Sequence, residues 1–135
     1  MRIMALDIGD KRIGVALSDP IGILATPKTI IERKNETEDI VTIANMVDQY
    51  EVKKIIIGLP ISLDGRIGEQ AEKVHAFVDH LVKHIDIPVD FRDERMTTVS
   101  AKRLLHEGGK KGKQAGRDDA AAAAVILQSY LDEGK

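Results

Sequence analysis

Residues 2 to 8 form an apolar run that ends in Asp7-Ile8, and Gly9-Asp10 supplies turn chemistry before a second run from Arg12 to Ser18. The pattern predicts strand, turn, strand. A third strand is expected over Ile23 to Ile31, which is rich in β-branched residues; Pro27 places it at a sheet edge or at an irregular point. From Glu36 to Tyr50 the apolar positions Ile40, Ile43, Ala44 and Val47 recur at helical spacing. Lys53 to Gly58 follows, with Ile55-Ile56-Ile57 reading as a strand buried on both faces. A helix over Gly68 to Ile85, with Ala71, Val74, Val78, Leu81 and Val82 inward, and a short strand over Pro88 to Phe91 complete a parallel pair joined by a crossover helix. Two helices, Met96 to His106 and Asp118 to Leu131, end the chain, separated by a glycine-rich stretch over Gly108 to Gly116. The expected fold is therefore α/β: a central mixed five-stranded sheet, an antiparallel three-strand meander followed by parallel strands, flanked by helices.

Composition narrows the function. A length of 135 residues, 43% of them hydrophobic and 31% charged, suits one folded domain spanning 1–135, with neither repeat nor linker. Aromatic residues make up 3% and Trp is absent, so rows of stacking rings for single-stranded nucleic acid are excluded. With no Cys there is no disulfide framework, thiolate catalysis or Cys-ligated zinc. The N-terminus meets Asp7 too early for a signal peptide or membrane span, and a cytoplasmic location without membrane contact is expected. Net charge is −2, yet between Lys102 and Arg117 six basic residues face the single acid Glu107. Such a patch either binds phosphate or is a solvated linker. His80 and His84, four apart with Asp79 nearby, read as surface helix residues, since no His-Glu-x-x-His pattern or third ligand accompanies them.

Asp7 carries the first chemical signal, because a carboxylate closing an apolar strand loses solvation and calls for a compensating partner such as a cation. Capping of the Gly9-Asp10 turn explains it equally well. Further motifs decide between the two. The segment from Asp7 to Asp19 (Asp-Ile-Gly-Asp-Lys-Arg-Ile-Gly-Val-Ala-Leu-Ser-Asp) resembles the opening signature of the YqgF/RuvX family. Gly58-Leu59-Pro60 with Asp64-Gly65, then Asp93-Glu94-Arg95-Met96-Thr97-Thr98, then Asp119 ahead of Ala123, Ile126, Leu127 and Tyr130 resemble its later motifs, in order and across almost the whole chain. Position 10 is often Thr in that family; Asp10 here is read as a turn residue in preference to a metal accessory.

The resemblance implies a ribonuclease H-like nuclease, a family described both as Holliday junction resolvases and as nucleases maturing the 5′ end of pre-16S rRNA. It implies Asp7, Glu94 and Asp119 as catalytic carboxylates and metal ligands for two Mg²⁺ or Mn²⁺ ions, hard cations that prefer oxygen donors. Asp93 and Asp118 neighbour two of them, and Asp118 is expected to cap the last helix. Lys11, Arg12 and Arg95 beside the acids, Thr97, and Lys110, Lys111, Lys113 and Arg117 in the basic segment are the expected substrate contacts. Arg95 serves equally as a salt-bridge partner, and Thr97 as a helix cap. Asp64-Gly65-Arg66 is a second loop that either faces substrate or only turns the chain. Precursor rRNA, met within a ribosomal particle, is the favoured substrate on family grounds; four-way DNA and a nonenzymatic ribosome-assembly role are the alternatives. Nucleotide binding of the sugar-kinase and actin kind also begins with Asp-x-Gly, but needs two such domains to enclose ATP, and no Gly-x-x-x-x-Gly-Lys-Ser/Thr loop is present.

Overall fold

The structure is a computed structural model that describes residues 1–59, 68–93 and 115–133, the side chains of residues 93 and 115–119 excepted. Three strands, β1 (Arg2–Ile8), β2 (Arg12–Ser18) and β3 (Ala25–Glu32), form the expected meander. Helix α1 (Glu36–Gln49), β4 (Val52–Leu59), α2 (Glu69–Leu81), β5 (Val89–Asp93) and α3 (Ala115–Glu133) follow. The five strands lie in one sheet in the order β3-β2-β1-β4-β5. β1 pairs antiparallel with β2 and parallel with β4, β2 antiparallel with β3, and β4 parallel with β5. Both expectations for Pro27 hold: β3 is an edge strand, and its register against β2 shifts between Val15–Thr29 and Ala16–Pro27.

Because successive side chains of a strand alternate in direction, β1 feeds two cores. Met4, Leu6 and Ile8 join Ile13, Val15, Ile55, Ile57 and the inward residues of α1 and α2. Ile3 and Ala5 join Ala16, Ile56 and the α3 residues Ala123, Ala124, Ile126, Leu127 and Leu131 on the opposite face. Ile55, Ile56 and Ile57 are all fully buried, as expected of a strand covered on both sides. Helix α1 starts at the N-cap Asn35, whose side chain accepts from Glu38 N–H at 2.9 Å, with Glu36, Glu38 and Asp39 in the first turn where negative charge is favoured.

Some boundaries differ from the pattern-based reading. Helix α2 ends at Leu81, and Val82, expected inside, is its C-cap and 44% exposed. The Val82 N–H still bonds back to Val78, but the next residues turn away, so its side chain passes the end of the core. β3 begins at Ala25, because the Asp19 carboxylate takes the Ile23 and Leu24 N–H groups into a loop at 2.7 and 3.2 Å. Those two bonds hold the Asp19 carboxyl below its ordinary range. α3 begins at Ala115, so Asp118 lies inside the helix and does not cap it, and Arg117 is helical where a loop was expected. Alanine propensity across Ala120–Ala124 favours helix, and the pattern-based boundary gave too much weight to Gly116. The expected helix over Met96 to His106 lies outside the described residues.

Candidate functional site

The ends of β1, β4 and β5 meet along one edge of the sheet, since the three strands are parallel neighbours. β1 pairs Leu6 with Ile57, and β4 pairs Leu59 with Asp93. Asp7 is therefore level with Gly58, and β5 ends at that edge just before Glu94, which itself lies outside the described residues. Asp7 continues the Ile3–Ala5 face and so stands on the α3 side of the sheet, half-buried. Its partner across the antiparallel pair is Gly14. With Gly14 on one neighbouring strand and Gly58 on the other, neither adjacent position carries a side chain to fill the space beside the carboxylate.

Helix α3 runs antiparallel to β1. Gln128 accepts from Ala25 N–H at 2.9 Å and donates to Ile23 O at 3.0 Å, and Ala25 pairs with Ser18, whose hydroxyl accepts from Ile3 N–H at 2.9 Å. On the other flank, Lys54 Nζ donates to the Tyr130 hydroxyl at 2.8 Å and meets Asp90 at 2.7 Å. The hydrogen bond to Asp90, then that to Tyr130, pushes the Lys54 pKa up. The helix around residues 128–130 is thus fastened over the start of β1, and its buried Ala120, Ala123 and Ala124 must lie further along the strand toward its end. From Gln128 back to Asp119 is about 13 Å at about 1.5 Å per residue. From Ile3 to Asp7 is also about 13 Å at about 3.3 Å per residue. The backbone of Asp119, in the second turn of α3, accordingly comes abreast of Asp7 on the same face.

The β1–β2 turn supplies the nearby cations. Asp7, Gly9, Asp10, Lys11 and Arg12 line a depression of 190 Å³. Gly9 N–H closes the turn on Arg12 O at 2.9 Å, and a Cβ at Gly9 would stand 3.0 Å from that same oxygen, so any side chain there would crowd the turn. Asp10 is exposed in this turn and its carboxylate lies 3.6 Å from Lys73 Nζ, as a turn residue would. A larger groove, 510 Å³, lies between β3 and α1, lined among others by Lys28, Ile30, Thr42 and Tyr50, and contains none of the expected site residues.

Of those residues, Asp7, Lys11 and Arg12 are brought together, and Asp119 lies in the second turn of α3, the helix that covers this face of the sheet. Arg117 lies two residues nearer the start of α3, in its helical backbone. Glu94, Arg95, Thr97, Lys110, Lys111 and Lys113, with the Asp64–Arg66 loop, lie outside the described residues. Among the described residues no three His, Cys, Asp or Glu side chains are grouped to hold a metal ion, and no helix is long and apolar enough to cross a membrane. His80 and His84 do not act as a pair: His80 Nδ1 meets Glu36, and His84 Nδ1 donates to the His80 carbonyl at 3.1 Å.

Two groups of residues escaped the sequence reading. Arg92 donates to Ser129 and, at 2.6 and 2.8 Å, to both oxygens of Glu133, which ties β5 to the last turn of α3 and holds the Glu133 carboxyl below its ordinary range. Arg33 and the buried Asp39 brace the β1–β2 turn from behind. Nothing in the sequence pattern marked either Arg33 or Asp39.

Comparison with known proteins agrees with this arrangement. The chain is 47% identical over 133 residues to a protein of Halothermothrix orenii provisionally named as a pre-16S rRNA nuclease, covering 98% of this chain and 95% of the relative. A Dehalococcoides mccartyi protein with the same provisional name is 50% identical over 126 residues, covering 93% and 94%. Among solved structures, Thermus thermophilus RuvC in complex with a Holliday junction superposes with a TM-score of 0.67 at 11% identity, covering 100% of this chain and 97% of that one. The fowlpox virus Holliday junction resolvase gives 0.61 at 15%, covering both chains completely. These neighbours establish the ribonuclease H-like fold. The family model described as "RuvX: Holliday junction resolvase" matches residues 1–133, and the chain belongs to that family.

Proposed function

We propose that this protein is a divalent-metal-dependent endonuclease that hydrolyses a phosphodiester bond in structured nucleic acid, and that its substrate is the 5′ end of pre-16S rRNA. The observation that carries the reading is Asp7: a half-buried carboxylate at the shared end of parallel strands, flanked by Gly14 and Gly58. The substrate assignment rests on relatives 44–50% identical over nearly their whole length that carry the pre-16S rRNA nuclease name.

The donor chemistry fits the proposed metal. A carboxylate oxygen flanked by glycine on both neighbouring strands suits a hard cation, and a chain without Cys offers no thiolate ligand. Asp7, Glu94 and Asp119 would hold two ions. Bound Mg²⁺ or Mn²⁺ would supply charge neutralisation at the phosphate and a water acidic enough to attack it. The chain's own groups do the rest. Lys11 and Arg12, on the turn beside Asp7, bind the phosphate flanking the scissile bond. Arg95 and Thr97 hold the substrate from the segment after β5. Lys110, Lys111, Lys113 and Arg117 grip the backbone further away, through a salt-dependent attraction that carries no base sequence.

A second reading, resolution of four-way DNA, is favoured by the description of the family whose model covers residues 1–133. One experiment separates the two. Labelled pre-16S RNA and a four-way DNA junction are incubated with the protein in Mg²⁺ or Mn²⁺, with Asp7→Asn in parallel. Faster cleavage of the RNA supports rRNA maturation, and faster cleavage of the junction supports resolution. The variant is expected to lose at least about a hundredfold in rate while keeping its fold, because a ligand to the charge-neutralising centre is removed. Cleavage by Asp7→Asn at the parental rate rejects the mechanism.

A further inference from the structure

We propose that Arg33 is a positioning residue for the candidate site, acting through the β1–β2 turn and held in turn by Asp39. The inference deepens the nuclease reading and rests on it. Arg33 follows the end of β3, on the side of the sheet opposite the Asp7 side chain, and contacts the turn at both its ends. Its Nη1 donates to Gly9 O at 2.9 Å, and its backbone N–H donates to Lys11 O at 2.9 Å. Gly9 follows Asp7 by two residues, and Lys11 adjoins Arg12, so these bonds set the path of the segment that carries the proposed ligand and both proposed phosphate contacts.

Arg33 is itself held by Asp39 and Phe77. Its Nε donates to Asp39 Oδ2 at 3.1 Å, and its guanidinium lies 4.9 Å over the ring of Phe77, a buried residue of α2. The Asp39 side chain is 3% exposed, and its other oxygen accepts from Lys34 N–H at 3.1 Å. A buried carboxylate is costly unless its partners are in place, so Asp39 permits little displacement of the guanidinium. Asp39 lies in the first turn of α1, so the clamp connects α1, α2, the β3 exit and the β1–β2 turn in one chain of contacts. The planar fork of Arg makes the Asp39 and Gly9 bonds from two separate nitrogens, Nε and Nη1, an arrangement that the single nitrogen of Lys does not reproduce.

Arg33→Lys and Asp39→Asn test the proposal in the full chain. Amide exchange at Gly9 to Arg12 should quicken about tenfold or more in both, while Met4–Leu6 and Ile55–Ile57 stay as protected as in the parent. Cleavage of the better substrate should lose roughly ten- to a hundredfold in kcat with KM nearly unchanged, since a displacement of about 1 Å at a reacting centre costs on this order. The double variant should be no slower than the slower single, because both changes break one clamp. Unchanged exchange at the turn overturns the clamp, and faster exchange with parental kcat overturns its positioning role. If Asp39→Asn loses core protection as well, Arg33→Lys alone decides on the same two readouts. A parental protein that cuts neither RNA nor junction refutes the nuclease reading, and the positioning role with it, whatever the exchange result.

Discussion

The two faces of the sheet are built from different materials. On the α1–α2 face, β1, β2 and β4 present Met4, Leu6, Ile8, Ile13, Val15, Ile55, Ile57 and Leu59, and the helices answer with Ile40, Ile43, Val47, Val74, Phe77 and Leu81. On the α3 face the sheet offers Ala5, Ala16, Gly14 and Gly58 around Ile3 and Ile56, and the helix answers with Ala120, Ala123 and Ala124 before Leu127 and Leu131. Large branched side chains hold two layers apart by their own volume, whereas alanine against alanine lets a helix settle close to the strands. The thick face supplies most of the buried apolar area. The thin face carries the proposed ligand Asp7, with Gly14 and Gly58 beside it on the neighbouring strands. The larger core and the proposed chemistry thus lie on opposite sides of the same strands.

Substitutions can break this division of labour. The largest expected loss of stability is from Ile56→Ala, the one large fully buried β4 residue on the thin face: about 2 to 5 kcal/mol by urea unfolding, from lost transfer energy plus the cavity left beneath α3. Ala123→Leu should cost about 1 to 3 kcal/mol by overpacking the alanine contact. It should also lower kcat in protein that is still fully folded, since α3 must lift away from β1. Ile43→Val, on the thick face, should cost about 0.5 to 1.5 kcal/mol and leave the kcat of folded protein at the parental value. Equal kcat losses for Ala123→Leu and Ile43→Val would refute the division.

The smallest effect concerns the loop that joins β2 to β3. Asp19 has a lowered pKa because its carboxylate accepts the Ile23 and Leu24 amides. A depressed folded value means the unfolded chain takes up the proton first. The contribution of Asp19 is therefore complete above the ordinary value of 3.8 and is lost as pH falls through the lower folded value. Asp19→Asn should lower stability slightly near neutrality and flatten the acid limb of the profile, the two proteins converging at low pH; an identical acid limb counts against the two amide bonds.

Much of this arrangement was legible in the order of residues. Apolar runs marked β1, β2 and β4, whose residues are buried on both faces of the sheet, and a period of about 3.6 marked α1 and α2, each of which buries one face. The four motifs marked Asp7 and the family. Boundaries were less legible: Val82 and Ile23 fit the apolar pattern but lie past the ends of the core, where a single residue's hydropathy does not say which way the chain turns. Arg33 was illegible for a different reason. Its role consists of partners six, twenty-four and forty-four positions away in Asp39, Gly9 and Phe77, and no local pattern records such a set.

By itself the sequence determined which segments are strands and helices, that Asp7 closes an apolar strand, and to which family the chain belongs, since these depend on periodicity and on ordered short motifs. Only the tertiary structure decided that Asp7 stands on the thin face between Gly14 and Gly58, that α3 runs antiparallel over it, and that Arg33 braces its turn from behind. Those outcomes depend on register and on contacts between distant segments. A shift of one residue in strand pairing would send Asp7 into the aliphatic core without altering any local preference along the chain.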